Sequence, residues 1–213
     1  MENKFISFEG IDGSGKTTQI NKLSRWFEEK AIPHTVLREP GGAFLCERIR
    51  DLLLDKNIEI NSRSETLLFM AARAQLIEEI IKPDLSNDKF IICDRFIDST
   101  LAYQGYGRKL DLNVINNMNK FSTDNITPDI TFLMDVDLET SIKRRMGNDI
   151  DRMELAGDEF LSQVRDGYYK ICQNNSNRCH IINATKKEDI IFNEIKNLIS
   201  ELNKGIWWLL NID

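Results

Sequence analysis

Short, mostly apolar runs alternate along this chain with longer stretches in which apolar residues recur every three or four positions. The short runs are Phe5–Phe8, His34–Leu37, Phe90–Cys93, Ile130–Met134 and Cys179–Ile182. Runs of this length and character predict strands covered on both faces, as in a parallel sheet. Strands that alternate with helical patterns give an α/β fold whose crossovers join parallel neighbours. Several helix ends carry signals of their own. Ser62-x-x-Glu65 and Thr185-x-x-Glu188 predict capping boxes, and Asp137 is placed to cap the helix after the fourth strand. A helix through Leu67 and Ile81 is expected to stop before Pro83. The last helix sets Ile191, Ile195, Leu198, Ile199 and Leu202 on one face. Five strands with helical crossovers predict a doubly wound sheet with ligands at the carboxyl ends of its strands.

No repeat, low-complexity tract or linker interrupts the pattern, so residues 1–213 read as a single domain. The net charge of −6 argues against a partner in polymeric nucleic acid, which needs a basic field, but leaves room for a small nucleotide. Cys46, Cys93, Cys172 and Cys179 form no C-x-x-C pair and read as reduced thiols. With two histidines, a His-based metal site is not expected. No apolar run approaches bilayer length and the chain begins without an apolar leader, so the expectation is a cytoplasmic protein with no membrane partner. The tail Ile206-Trp207-Trp208-Leu209-Leu210 is expected to pack in the ordinary way.

The chemistry begins where the first strand ends. Gly10-Ile11-Asp12-Gly13-Ser14-Gly15-Lys16-Thr17 is a full G-x-x-x-x-G-K-[ST] match between a strand and a helix. Glycines let backbone N–H groups converge on one anion, and the helix that follows adds the positive end of its dipole. Lys16 is expected on the β- and γ-phosphates and the Thr17 hydroxyl on Mg²⁺. Asp94, at the end of the third strand, is placed to reach the same ion. No N-K-x-D signature follows, which lowers the weight of a GTPase reading.

A phosphotransferase must offset charge on donor and acceptor alike, and arginine suits this because its planar fork binds phosphate. Arg38 ends the second strand, Arg73 lies on a mid-chain helix, and Arg95 follows Asp94. Arg144, Arg145 and Arg152 flank Gly147 in a polar segment, near 144–156, that reads as a closing lid. Any one of them alone is more often a solvated or salt-bridged side chain. Phe69 and Arg73 share a helix face, where an aromatic ring and a guanidinium can hold a base. Alone, Phe69 would be an ordinary core residue.

Four segments make the pattern specific: Phe8-Glu9-Gly10-Ile11-Asp12-Gly13, Arg38-Glu39-Pro40-Gly41-Gly42, Ala71-Ala72-Arg73-Ala74-Gln75, and Asp94-Arg95-Phe96-Ile97-Asp98-Ser99-Thr100-Leu101-Ala102-Tyr103-Gln104-Gly105. In this order and spacing the chain resembles bacterial thymidylate kinase up to its final ten or so residues. The resemblance implies a P-loop NTPase fold, a five-stranded parallel sheet with helices on both faces, and transfer of the γ-phosphate of ATP to dTMP with Mg²⁺. It implies that Asp12 binds the deoxyribose 3′-hydroxyl near the transferred phosphate. Arg38 and Arg95 would hold the acceptor phosphate, Phe69 would stack on thymine and Arg73 would bond the base edge. Ser99 would line the same site, Tyr103 would exclude a 2′-hydroxyl, Gln104 would lie near the base, and Arg144 would pack on the donor adenine. It further implies a homodimer. Some members carry an arginine at the position of Gly13. This chain does not, so it is similar to the subclass that draws basic residues from the lid, and Arg152 is our choice among the three. Ala43, where threonine is common in the family, is a minor departure.

Two other readings compete. A uridylate/cytidylate or deoxynucleoside kinase would share the cradle and differ in the base pocket. A regulatory nucleotide-binding module would have no need of the arginine clamp.

Overall fold

The computed structural model describes residues 4–146 and 152–202. Five strands form one sheet in the order β2-β3-β1-β4-β5: β1 (Phe5–Glu9), β2 (His34–Arg38), β3 (Phe90–Asp94), β4 (Ile130–Asp135) and β5 (Cys179–Asn183). Every pairing is parallel. Each strand contains the run expected from sequence and extends it by one residue at its carboxyl end. All five residues of central β1 are buried, Ser7 and Glu9 included.

The α-helices that connect the strands or follow the last are α1 (Lys16–Glu29), α2 (Phe44–Leu54), α3 (Ser62–Leu76), α4 (Lys82–Ser86), α5 (Ile97–Thr100), which runs on into a π turn over Leu101–Gly107, α6 (Leu112–Thr123), α7 (Leu138–Arg145), α8 (Asp158–Asn174) and α9 (Glu188–Leu202). Two apolar clusters lie on opposite faces of the sheet. One gathers Leu23 and Phe27 of α1, Val164 of α8 and Ile195 and Ile199 of α9 over Phe8 and Phe132. The other gathers Cys46 and Leu53 of α2 and Ala72 and Leu76 of α3 over Phe5 and Ile91. On α9, Ile191, Ile195 and Ile199 are buried, with Leu198 and Leu202 packed partly against them.

Several local expectations are corrected. The cap of α3 is Asn61, whose side chain accepts from the N–H groups of Arg63 and Ser64, so the Ser62–Glu65 box does not form. Glu65 is drawn inward instead. At the other site, Thr185 donates its hydroxyl to Asn183 and α9 starts at Glu188, so that box is absent too. Asp137 does cap α7, accepting from Thr140 N–H at 2.8 Å. The helix expected to stop before Pro83 continues: a π turn over Ile77–Ile81 leads directly into α4, with Pro83 in its first turn. A proline is tolerated at a helix start, where its missing N–H would have no partner. Finally, two of the four cysteines are not free. Cys172 at the end of α8 and Cys179 at the start of β5 form a disulfide, with Cα atoms 5.1 Å apart. They are 7 positions apart in the sequence, and the turn between α8 and β5 brings them within bridging range. Cys46 and Cys93 are buried thiols. The tryptophan pair of the tail lies outside the described residues.

The register places the chemistry. Asp94 is the last residue of β3, paired with Phe8 on one side and Arg38 on the other. The loop after β1, the end of β2 and the end of β3 therefore open onto one edge of the sheet.

Candidate active site

From Glu9 the chain turns through residues 10–15 into α1. Gly10 has a φ of +135°, and a Cβ there would lie 2.6 Å from the Met134 carbonyl oxygen. Only glycine lets the loop leave β1 so close to β4. α1 has no side-chain cap, so its first amide groups remain available to an anion. Lys16 is buried, and its Nζ donates to the carbonyls of Gly10 and Ile11, each at 3.0 Å. Burial and the nearby Arg95 charge lower its pKa, against the pull of Asp12, Asp94 and Glu9. The Thr17 hydroxyl donates to Asp94 Oδ2 at 3.4 Å, which brings two hard oxygen donors together beside the cradle.

Arg95 occupies the left-handed region at φ +70°. Such a conformation in a non-glycine residue costs energy and persists only where the surroundings hold it. Here they do: Arg95 donates to Asp12 Oδ1 at 2.7 Å, to Tyr168 Oη at 3.2 Å and to Ser99 Oγ at 3.4 Å, and its guanidinium lies 5.1 Å over the Tyr103 ring. Burial raises the Asp12 carboxyl, but Arg95 and then Lys16 outweigh it and hold its pKa at about 2. Beneath this pair lies Glu9, fully buried. It accepts from Phe96 N–H at 2.7 Å, Ser99 Oγ at 2.5 Å and Tyr168 Oη at 3.1 Å. Burial, with Asp98 adding, raises its pKa to about 7.

Beyond Arg95 a pocket is lined by Phe69, Arg73, Ser99, Tyr103, Gln104 and Met153, among others. Arg73 is 2% exposed and forms part of its wall. Its Nε and Nη2 donate to Glu39 Oε2, its Nη1 to Thr100 Oγ1 and Asn119 Oδ1, and its Nη2 also to the Phe96 carbonyl. All five guanidinium donors are thus engaged, and a base edge would share one of them. This pocket and the larger cleft over the cradle have Asp12, Glu39, Arg50 and Arg95 in common.

Two adjoining cavities meeting at an Asp–Arg pair, one over a phosphate cradle and one with an aromatic wall, fit a donor and an acceptor nucleotide. The comparisons agree. The family model described as thymidylate kinase matches residues 8–195. The chain is 47% identical over 197 residues to a thymidylate kinase of Thermosipho africanus, covering 92% of this chain and 98% of the relative. It is 50% identical over 212 residues to one from Prochlorococcus marinus, covering 96% and 100%. The crystal structure of thymidylate kinase from Ehrlichia chaffeensis superposes with a TM-score of 0.75 at 40% identity, covering 93% and 99%. The chain belongs to the thymidylate kinase family.

It is accordingly an ATP-dependent nucleoside-monophosphate kinase of P-loop NTPase fold. As a thymidylate kinase family member it brings together most of the residues named from sequence. Asp12, Lys16, Thr17, Asp94 and Arg95 meet at the cradle, and Phe69, Arg73, Ser99, Tyr103 and Gln104 line the pocket. Arg144 lines the cleft over the cradle, donating to the carbonyls of Gly13 at 3.3 Å and Ala184 at 2.9 Å. Two residues stand apart. Arg38 is turned toward Glu47 at 3.0 Å, more than half exposed on the cleft wall. Arg152 is held by Glu65 at 2.8 Å and by the Leu53 carbonyl at 2.7 Å, on the pocket side and not over the cradle. Arg145 lies closer to the loop, its side chain beside Gly13. Sequence reasoning missed Arg50, which lines both cavities from α2, and Tyr168, which reaches Arg95 from α8. Neither belongs to a motif at the sheet edge, and only the packing of α2 and α8 against it reveals them.

Among the described residues no helix is long and apolar enough to cross a membrane.

Proposed function

We propose that this enzyme transfers the γ-phosphate of ATP to dTMP, giving dTDP and ADP, and that it works in the cytoplasm as a homodimer in the supply of dTTP. The observation that carries the reading is the Asp12–Arg95 contact at the seam of two cavities. A group transferred from a nucleotide in the cradle to one in the aromatic pocket has to pass this seam. Gly10, Ile11, Asp12, Gly13, Ser14, Gly15, Lys16 and Thr17 hold the donor phosphates, with Arg144 against the donor base.

Phe69 stacks on the acceptor base, Arg73 and Gln104 meet its polar edge, and Tyr103 closes the space a 2′-hydroxyl would need. Asp12 takes the 3′-hydroxyl. Arg38 and Arg95 hold the acceptor phosphate. Its attacking oxygen is already ionised near neutral pH, so no strong general base is required and catalysis is positioning with charge stabilisation. Lys16 exchanges its two carbonyl partners for phosphate oxygens. Arg152 leaves Glu65 when the lid, near residues 144–156, closes over the donor, and closure excludes the water that would hydrolyse ATP.

Thr17 and Asp94 supply oxygen donors of the kind Mg²⁺ takes, one or two from protein with phosphates and water completing the shell. Bound there, the ion would neutralise charge on the β- and γ-phosphates.

The test is ADP release with ATP·Mg²⁺ and each natural monophosphate in turn, with products separated chromatographically. Strong preference for dTMP, with dTDP formed, supports the assignment. Preference for another monophosphate overturns the roles of Phe69, Arg73 and Tyr103. Nucleotide binding without acceptor-dependent turnover would sink the transfer reading altogether.

A further inference from the structure

Glu65 sits one helical turn before Phe69 on α3, and its side chain is 1% exposed. It lies outside the four segments that carry the family resemblance and entered the sequence reading only as half of a capping box. Its Oε1 accepts from Gln104 Nε2 at 2.9 Å and from Arg108 Nε at 3.3 Å. Its Oε2 accepts from Arg108 Nη2 at 3.3 Å and from Arg152 Nη1 at 2.8 Å. One buried carboxylate therefore gathers three side chains from two separate segments. Two of the donors are guanidiniums, whose charge-assisted hydrogen bonds take the place of water around the carboxylate.

The consequence falls on Gln104. A carboxamide has two faces of opposite character, an NH₂ that donates and an oxygen that accepts. An ionised carboxylate only accepts. Glu65 therefore requires the Gln104 NH₂ on its own side, and with that end committed the carboxamide oxygen is the acceptor left for a ligand in the pocket. Gln104 lines that pocket with Phe69 and Tyr103. Thymine and uracil present an N3–H between two carbonyls, which suits an accepting oxygen. Cytosine presents a bare N3 lone pair, which opposes it.

We propose that Glu65 is a specificity-determining positioning residue: it fixes the orientation of the Gln104 carboxamide so that the pocket accepts a pyrimidine bearing N3–H and rejects one without it. This rests on the reading that the Phe69 pocket holds the acceptor base. Glu65 itself touches no substrate. A carboxylate whose two oxygens are both held by Arg108, a partner that stays when Arg152 leaves, is suited to the task because it offers only acceptors. A glutamine in its place could do both, and Gln104 would then turn freely.

The test compares kcat/KM for dTMP and dCMP in the wild type, Glu65→Gln, Gln104→Met and the double variant. Glu65→Gln is expected to lower the dTMP-to-dCMP ratio by about tenfold or more, because a site that enforces a hydrogen bond rejects the mismatched analogue strongly. Gln104→Met should lower it as well, and Glu65→Gln should add little in the Gln104→Met background. A merely structural role for Glu65 would reduce turnover on both substrates and leave the ratio where it was, which overturns the proposal. If Gln104→Met leaves both dTMP constants unchanged, the pocket reading itself fails. Should Glu65→Gln not fold, the wild type still decides. The Gln104 side-chain NH₂ resonance, identified by its loss in Gln104→Met, is expected to exchange slowly with solvent in the free enzyme, and exchange at the rate of an exposed glutamine overturns the proposal.

Discussion

Arg95 Nη2 lies 2.7 Å from Asp12 Oδ1, and this one contact ties the loop after β1 to the loop after β3 at the seam between the two cavities. The pair does more than neutralise itself. Arg95 has its backbone in the left-handed region and its guanidinium over Tyr103, so its direction is set from three sides before any substrate arrives. That preorganisation separates a fixed fork from a mobile charge. Arg95→Lys keeps the charge and loses the fork, so it should behave nearly as badly as Arg95→Ala. For both, kcat/KM for the acceptor is expected to fall by about 100-fold or more, the scale of losing one preorganised charge-stabilising donor. Steady-state assays on folded variants decide it, and a lysine variant close to wild type would show that charge alone suffices.

Asp12 and Glu9 are carboxylates joined through Arg95 and Ser99 in one hydrogen-bond network, and they respond to pH in opposite senses. Asp12 is lowered to about 2, so it contributes stability that is present above its unfolded value of 3.8 and is lost as pH falls toward 2. Glu9 is raised to about 7 from an unfolded value of 4.5. Between those two values the folded state holds the extra proton, so this group's contribution weakens as pH rises from 4.5 to 7 and is constant above. Glu9→Gln removes that slope. Urea unfolding at pH 5 and at pH 7.5 should show the variant gaining on the wild type at the higher pH. An equal difference at both values would mean that Glu9 is already ionised at pH 5.

The pH behaviour of Glu9 also shows where the sequence stops being legible. The five strands, the cradle and the Asp94–Arg95 step follow from apolar runs and one glycine-rich motif, because each is encoded in contiguous residues. Glu9 appears in sequence as a polar residue ending a strand, and its burial depends on Ser99 and Tyr168 arriving from other elements. Glu65 was read as half of a capping box for the same reason: the local pattern fits, and the competing partners Gln104, Arg108 and Arg152 lie far along the chain. Pro83 misled in the opposite direction, since a π turn supplies a fresh helix start for it. Cys172 and Cys179 were invisible as a pair because the turn joining α8 to β5 sets their distance.

Arg73 was named for a base edge, yet its five donors are all engaged within the protein. Its first role is therefore structural. Arg73→Met fills much the same space, strands the buried Glu39 carboxylate and should destabilise the fold by about 3–5 kcal/mol. Adding Glu39→Gln should recover part of that loss, because the stranded charge is then gone. Urea titrations of the single and double variants measure both steps. A single variant within about 1 kcal/mol of wild type would mean that the pair contributes little net stability, as some buried pairs do.

Gly13 stands where the family resemblance implies an arginine in some members, and its surroundings here leave little room for a side chain. Its φ is +74°, and a Cβ there would lie 2.7 Å from the Ser141 carbonyl oxygen on α7. Ser141 in turn donates its hydroxyl to the Asp12 carbonyl at 2.7 Å, so α7 is fastened directly onto the loop. Gly15 offers the internal control: its φ is +87°, and a Cβ would meet nothing within 4 Å. Gly15→Ala should therefore cost only the left-handed conformation, about 1–2 kcal/mol. Gly13→Ala should cost that and the displacement of α7 as well, and the shift should also weaken ATP binding through Arg144, which donates to the Gly13 carbonyl. Thermal or urea unfolding of the two variants separates the contributions. If they lose the same stability, α7 yields without cost, and the choice between an arginine in the cradle and arginines in the lid is not set by the packing of α7.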